Sequence, residues 1–176
     1  KAPDAALFAV MVFNRSLSTS VTSLVAAIEW SISAGMHLVN LSLGTPRAAH
    51  EAALRDAITK AGAHDVVVVS ARRDDQHSET VWFPGSLPGV LGVDVDWSIP
   101  RDQYRLASQD GMATVIASGY PRDIPGVPPE RNVHGVRFAV ANATGFAACA
   151  LEAIAPRRSL DALLTALRDH APVGAP

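Results

Sequence analysis

Cysteine is nearly missing from this chain. Cys149 stands alone in 176 residues, which excludes an internal disulfide and any Cys-rich zinc site. No sign of charge dominates, because 15 basic side chains meet 17 acidic ones. A formal net charge of −2 creates no field that would recruit nucleic acid or an anionic membrane. No apolar run reaches the roughly 18 residues of a membrane-spanning helix. No leader peptide is visible: the chain opens on Lys1-Ala2-Pro3-Asp4, which reads as a trimmed or processed end and specifies no compartment. HExxH is absent, and Gly85, Gly89 and Gly92 do not space as GxGxxG, so neither a zinc-peptidase helix nor a dinucleotide fingerprint is read. No cofactor is implied.

What is present is apolar and regular. At 48% hydrophobic residues, 176 residues suffice for one domain with its own core. Residues 6–13 (ALFAVMVF) form a continuous apolar run, which suits a strand covered on both faces. Val21, Leu24, Val25, Ile28 and Ile32 recur at helical spacing over 21–34, and Gly35 stops the helix. A second buried strand is predicted over 37–43, a helix over 47–61, and a β-branched strand over 66–70. Residues 72–78 are charged and loop-like. Strands follow over 90–95 and 113–117, separated by a polar stretch. Residues 119–135, with four prolines, form an irregular excursion. A helix is predicted over about 144–155, capped by Thr144 or Asn142. Ser159 caps a last helix over 160–168, before a Pro/Gly tail. The order of elements implies an α/β fold: a three-layer, open, mostly parallel sheet with helices on both faces. Ligands in such folds lie outside the carboxyl ends of the strands, here near Phe13-Asn14-Arg15, Leu43-Gly44-Thr45, Ser70 to Asp74 and Ala117-Ser118-Gly119.

Several motifs, in order, resemble the subtilisin-like serine proteases (the subtilase family, peptidase S8). Residues 2–13 (APDAALFAVMVF) resemble the family's APxAxLxAVKV strand. LVAAIEW at 24–30 and VNLSLG at 39–44 resemble its helix and its VINMSLG strand, one wall of the substrate cleft. Residues 66–74 (VVVVSARRD) resemble VVVVAAAGN, and 83–94 resemble the YPA…PGVIAVGAVD segment. NATGFAA at 142–148 lies where the family has SGTSxAA. The resemblance implies a single subtilisin-like domain over 1–176, the C-terminal two-thirds of the family fold, N-terminally truncated.

The departures from the family pattern bear on function. The family's catalytic residues run in the order Asp, His, Ser, and the first two lie upstream of the APxA segment. Gly145, without a side-chain oxygen, stands at the nucleophile position. Arg73 is read at the position of the oxyanion-hole asparagine. Loss of a triad member costs about 10⁴ to 10⁶ in rate, roughly 5–8 kcal/mol of barrier, and an oxyanion donor about 3 kcal/mol. Thr144 is turned about 100° from the nucleophile position by helical periodicity. Cys149 is read as a small buried apolar residue.

The expectation is therefore a pseudoenzyme, kept as a binding or scaffolding module. Ser42, Leu43, Gly44, Ser70, Arg72 and Arg73, with Thr144 and Gly145, are its candidate binding residues for a peptide or protein segment. Arg72-Arg73 could take an acidic group. The family strand that carries the aspartate lies between residues 6–13 and 37–43, so the gap between them is expected to be closed, by direct pairing, a partner chain or self-association. Two alternatives stay open. One is a fragment of an active serine endopeptidase completed by upstream sequence or another chain. The other is a small-molecule-binding α/β domain with a deep pocket beside Arg73.

Other candidates carry simpler readings. His37, His50, His64, His77, His134 and His170 are read as surface or capping residues, His77 and His134 being the least implausible as catalytic imidazoles. Asp74, Asp75 and Glu79 form a cluster that could hold calcium but is more simply a solvated loop. Asp94 and Asp96 share a face of a polar strand end. Asn142-Ala143-Thr144 fits a glycosylation sequon.

Overall fold

The computed structural model describes residues 1–170 except 15, 17, 75–78, 110 and 157, with the side chains of 109 and 130 also left aside. The predicted positions of Arg15, Asp75 and His77, and the Pro/Gly tail, lie outside the described residues.

Two helical layers enclose a five-stranded sheet. Its strands are β1 (Leu38–Leu41), β2 (Val67–Ala71), β3 (Val90–Val95), β4 (Tyr104–Gln109) and β5 (Met112–Ala117), in the order β1-β2-β3-β5-β4. All pairs are parallel except β4 with β5. β2 shows why the sheet is central. Its β-branched run is buried on both faces, with Val67, Val69 and Ala71 in one core and Val66 and Val68 in the other.

The first core is covered by α3 (Val136–Ile154) and α4 (Leu160–Asp169), the second by α1 (Val21–Ser33) and α2 (Glu51–Gly62). Ser20 and Ser159 cap α1 and α4 by accepting from the amides of Ser23 at 3.0 Å and Ala162 at 3.2 Å. The Tyr104 hydroxyl donates to the Leu167 carbonyl at 2.7 Å, tying β4 to α4, and burial raises its pKa. The predicted α/β class, layers and parallel sheet are thus present.

Three predicted elements need correction. Residues 6–13 are not in the sheet. They lie across an opening from β1 and belong to no strand, with Leu7 95% and Met11 88% exposed. The polar stretch before residue 113 contains β4, whose alternation of Tyr104, Leu106 and Ser108 with Arg105 and Ala107 marks an edge strand. Gln109 pairs with Met112, and Gly111 before it takes φ 75°. Finally, α3 begins at Val136 rather than near Thr144, with Gly135 at its N-cap position.

The connection after β3 carries a charge-dependent contact. Asp96 accepts from the Ser98 hydroxyl at 2.6 Å and from its amide at 2.8 Å, and pairs with Arg105. The Ser98 hydroxyl first, then its amide and the Arg105 charge, hold the Asp96 carboxyl below its usual pKa against the opposing effect of burial. A depressed folded-state pKa contributes stability above the unfolded value, lost as pH falls through the folded one. Asp96→Asn is expected to lower the unfolding free energy by roughly 1 kcal/mol near neutral pH. The difference from the parent should vanish in acid, which urea titrations at the two pH values would measure.

Candidate functional site

The stretch 142–149 lies within the interior of α3. Ala139, Ala143, Ala147 and Ala150 lie on its inward face, packed on the sheet. This places the amides of residues 142–149 beyond the first four residues of the helix, where they are committed to intrahelical bonds. The anion-binding character of a helix beginning is therefore not available at Gly145.

Asn142 does not cap the helix. It is buried, and its amide donates to the carbonyls of Ser118 at 2.9 Å and Tyr120 at 3.0 Å while accepting from Lys1 Nζ at 3.1 Å. Those bonds pin α3 to the loop after β5. They also leave the sequon asparagine inaccessible to a glycan. Thr144 is likewise not a cap: its hydroxyl lies 2.8 Å from the Val140 carbonyl and 3.1 Å from Asn40 Oδ1 on β1. The Ser42 hydroxyl also reaches Asn40 Oδ1, at 3.3 Å, so α3 and the end of β1 share one polar contact.

Lys1 covers Gly145. A Cβ placed on Gly145 would meet Lys1 Cβ and Cδ at 3.1 Å and Cγ at 3.5 Å, so a serine there would need the Lys1 side chain to give way by a few tenths of an ångström. Lys1 Nζ lies 4.6 Å from the centroid of the Phe146 ring, a cation–π contact. Its pKa is lowered, chiefly by burial and then by the Arg101 charge, with Asp102 and Cys149 acting the other way. Cys149 is exposed rather than buried as expected, and its thiol donates to the Lys1 carbonyl at 3.0 Å.

The other candidate residues do not form one surface. Ser70 is fully buried, with its hydroxyl 3.4 Å from the Leu43 carbonyl. Arg72 is also buried, donating from Nη1 to Thr114 Oγ1 on β5 at 2.8 Å. Beyond Gly44, Thr45 makes an antiparallel bridge with Phe83, and Trp82 lies against Gly44. That wall of the expected cleft is already occupied. Ser42 is exposed, and Leu43, Gly44 and Arg73 are half-buried.

The reading of Arg73 is corrected by counting along β2 and its following turn. In VVVVSARRD the ninth residue, where VVVVAAAGN ends in asparagine, is Asp74 and not Arg73. An ionised carboxylate has no proton to donate and repels an oxyanion.

Among the described residues no histidine ring is bonded to a hydroxyl or thiol. His37 Nε2 meets Arg158 at 2.6 Å, His64 and His170 meet helical carbonyls, and His134 meets the Asn132 carbonyl. His134 also lies edge-on to Trp97, with ring centroids 5.6 Å apart. No group of three His, Cys, Asp or Glu could hold a metal ion among the described residues, and no helix there is long and apolar enough to cross a membrane.

A cavity of about 850 Å³ lies elsewhere, between β1 and residues 4–12. Neither Arg72 nor Arg73 lines it. Sequence reasoning located the two elements that bound it but not the opening itself.

The class of protein is set by this architecture: a three-layer α/β domain whose mostly parallel sheet and following helix carry the VVVVSARRD and NATGFAA segments in subtilisin-like order. The model of the Subtilase family matches residues 1–156, and the chain belongs to that family. Subtilisin Savinase of Lederbergia lenta is 32% identical over 147 residues, covering 83% of this chain and 50% of that protein. Subtilisin DY of Bacillus licheniformis is 35% identical over 95 residues, covering 52% of this chain and 34% of its own length. The structure of the prenylagaramide maturation protease PagA superposes with a TM-score of 0.61 at 28% identity, covering 80% of this chain and 53% of that one. The chain thus spans about half or less of the length of these relatives.

Proposed function

We propose that this subtilase-family domain has lost peptidase chemistry and serves as a binding module for an extended polypeptide segment. The observation that carries the reading is Gly145. It offers no nucleophilic atom, its backbone lies inside a helix, and the Lys1 side chain packs against it. Asp74 at the oxyanion asparagine position adds to the same conclusion, because a carboxylate would oppose the charge that develops during acyl transfer. The binding capacity rests on β1, which pairs only with β2 among the described residues and continues into exposed Ser42. A free strand edge gives main-chain hydrogen bonds to an added strand.

The relatives named above include subtilisins and a protease, so the competing reading is a piece of an active serine endopeptidase. Hydrolysis of fluorogenic peptides and of casein by the full chain discriminates the two. The expected result is turnover no faster than the uncatalysed background. Turnover abolished by a serine-directed phosphonate would establish the protease reading instead.

A further inference from the structure

Three aromatic side chains meet on the surface beyond the carboxyl ends of β3 and β5, strands that do not border β1. Trp97 stands just past β3, and Tyr120 just past β5. The Gly135 amide donates to the Gly119 carbonyl at 3.0 Å, which ties the ends of the 119–135 excursion together and brings His134 beside Tyr120. Ring centroids lie 5.3 Å apart for Trp97 and Tyr120, 5.6 Å for Trp97 and His134, and 6.0 Å for Tyr120 and His134. The corresponding planes are inclined by 66°, 87° and 52°. Each ring is held in place. A Cβ on Gly119 would meet Trp97 Cζ3 at 2.5 Å and Cη2 at 2.8 Å, so only glycine lets the indole lie against that backbone. The Tyr120 carbonyl accepts from Asn142, and His134 Nδ1 donates to the Asn132 carbonyl at 2.9 Å. None of the three rings belongs to either apolar core; Trp97 is 41% exposed, and His134 is exposed as well.

We propose that Trp97, Tyr120 and His134 form a binding site for a quaternary ammonium group. An aromatic face attracts a cation through its quadrupole, out to about 6 Å from the ring centroid. Two faces at right angles with centroids about 5.7 Å apart share a point about 4 Å from each ring, within that reach. A nucleobase stacks on a single face, whereas a compact cation draws on all three. The neighbouring carboxylate in sequence, Asp96, is engaged by Ser98 and Arg105. A fully methylated nitrogen suits such rings better than a primary ammonium, because it carries no N–H that would lose its hydrogen bonds. A free choline-like molecule and a phosphatidylcholine headgroup share this chemistry. The site stands apart from the binding-module reading, and peptide hydrolysis would leave it untouched.

Proton NMR of choline titrated with the full chain tests the proposal. The N-methyl resonance should move upfield through ring currents, with half-saturation at roughly 10 mM, the scale of three exposed cation–π contacts. Dimethylbutanol, in which carbon replaces the charged nitrogen, should bind about fivefold more weakly. Trp97→Leu should abolish the shift. His134→Leu should weaken choline binding about threefold without altering the circular dichroism, and it keeps the test decisive if loss of the indole from its seat on Gly119 prevents folding. Equal binding of choline and dimethylbutanol, binding indifferent to His134→Leu, or a parent chain that moves neither resonance would each overturn the proposal. Co-sedimentation with phosphatidylcholine vesicles and not with phosphatidylglycerol vesicles would support it with the lipid headgroup as the source. Choline binding without co-sedimentation would support it with a free small molecule as the source.

Discussion

Gly85→Ala is expected to prevent the chain from folding. A Cβ at residue 85 would lie 1.9 Å from the Ala71 carbonyl oxygen, 2.3 Å from its carbon and 2.9 Å from the Arg72 amide. All three atoms belong to the backbone at the end of the most buried strand, so no side chain can rotate away. Trp82 and Ser86 both bond to the Arg72 carbonyl at 2.9 and 3.2 Å, which fixes the loop against the strand from either side of Gly85. Overpacking usually costs about 1–3 kcal/mol, and a clash with immovable backbone exceeds that range. A loss of about 5 kcal/mol would consume most of the stability of an ordinary domain. Gly62→Ala is the matched control. Outside its own helix nothing lies within 4 Å of its added methyl group, and at the last position of α2 it should gain at most about 0.5–1 kcal/mol. Thermal unfolding followed by circular dichroism should show a cooperative transition for Gly62→Ala and none for Gly85→Ala.

Asn142→Ala carries the second large effect. The substitution removes three hydrogen bonds and strands the Ser118 carbonyl, whose residue is only 2% exposed. Each lost bond costs about 1 kcal/mol, and a buried carbonyl left without a donor costs about 1–3 kcal/mol. A total near 3 kcal/mol corresponds to a fall of about 10 °C in Tm for a domain of this size. Asn142→Asp should be no milder, because a carboxylate would face the carbonyls of Ser118 and Tyr120 where the amide now donates. Unfolding of both variants near neutral pH checks the order.

Residue spacing announces the parts of the fold that bury one face. The stripe Leu24-Ile28, with the Ser20 cap, sets α1, and Ser159 sets the start of α4. The β-branched run of β2 needs no context, because only a strand covered on both faces tolerates it. The beginning of α3 is harder to read. VRFAVA at 136–141 is a short apolar run that suits strand and helix equally, and the resemblance of 142–148 to a family motif draws the boundary eight residues late. The continuing stripe through Ala139, Ala143 and Ala147 is the signal that resolves it. β4 is missed for a different reason: an edge strand buries only every second side chain, and Tyr104 and Leu106 alone do not stand out.

Residues 6–13 show the limit of pattern reading at the site. Their apolar run states that they suit a buried strand, but the pairing partner is set by tertiary structure. The same holds for Lys1, whose place over Gly145 joins positions 144 residues apart and leaves no local trace. The absence of a hydroxyl at position 145 is legible from the sequence alone. The loss of the helix beginning around it is not.

Gly145→Ser tests the central claim most directly, because it returns the one atom the family's chemistry most needs. The chain carrying it, assayed with a fluorogenic peptide before and after a serine-directed phosphonate, should hydrolyse no faster than its parent. The new hydroxyl would sit inside α3 against Lys1, while the histidine rings at 37, 64, 134 and 170 are bonded to Arg158 or to backbone carbonyls. A phosphonate-sensitive rate increase of about 10⁴ or more, the scale on which a working triad member acts, would contradict the account.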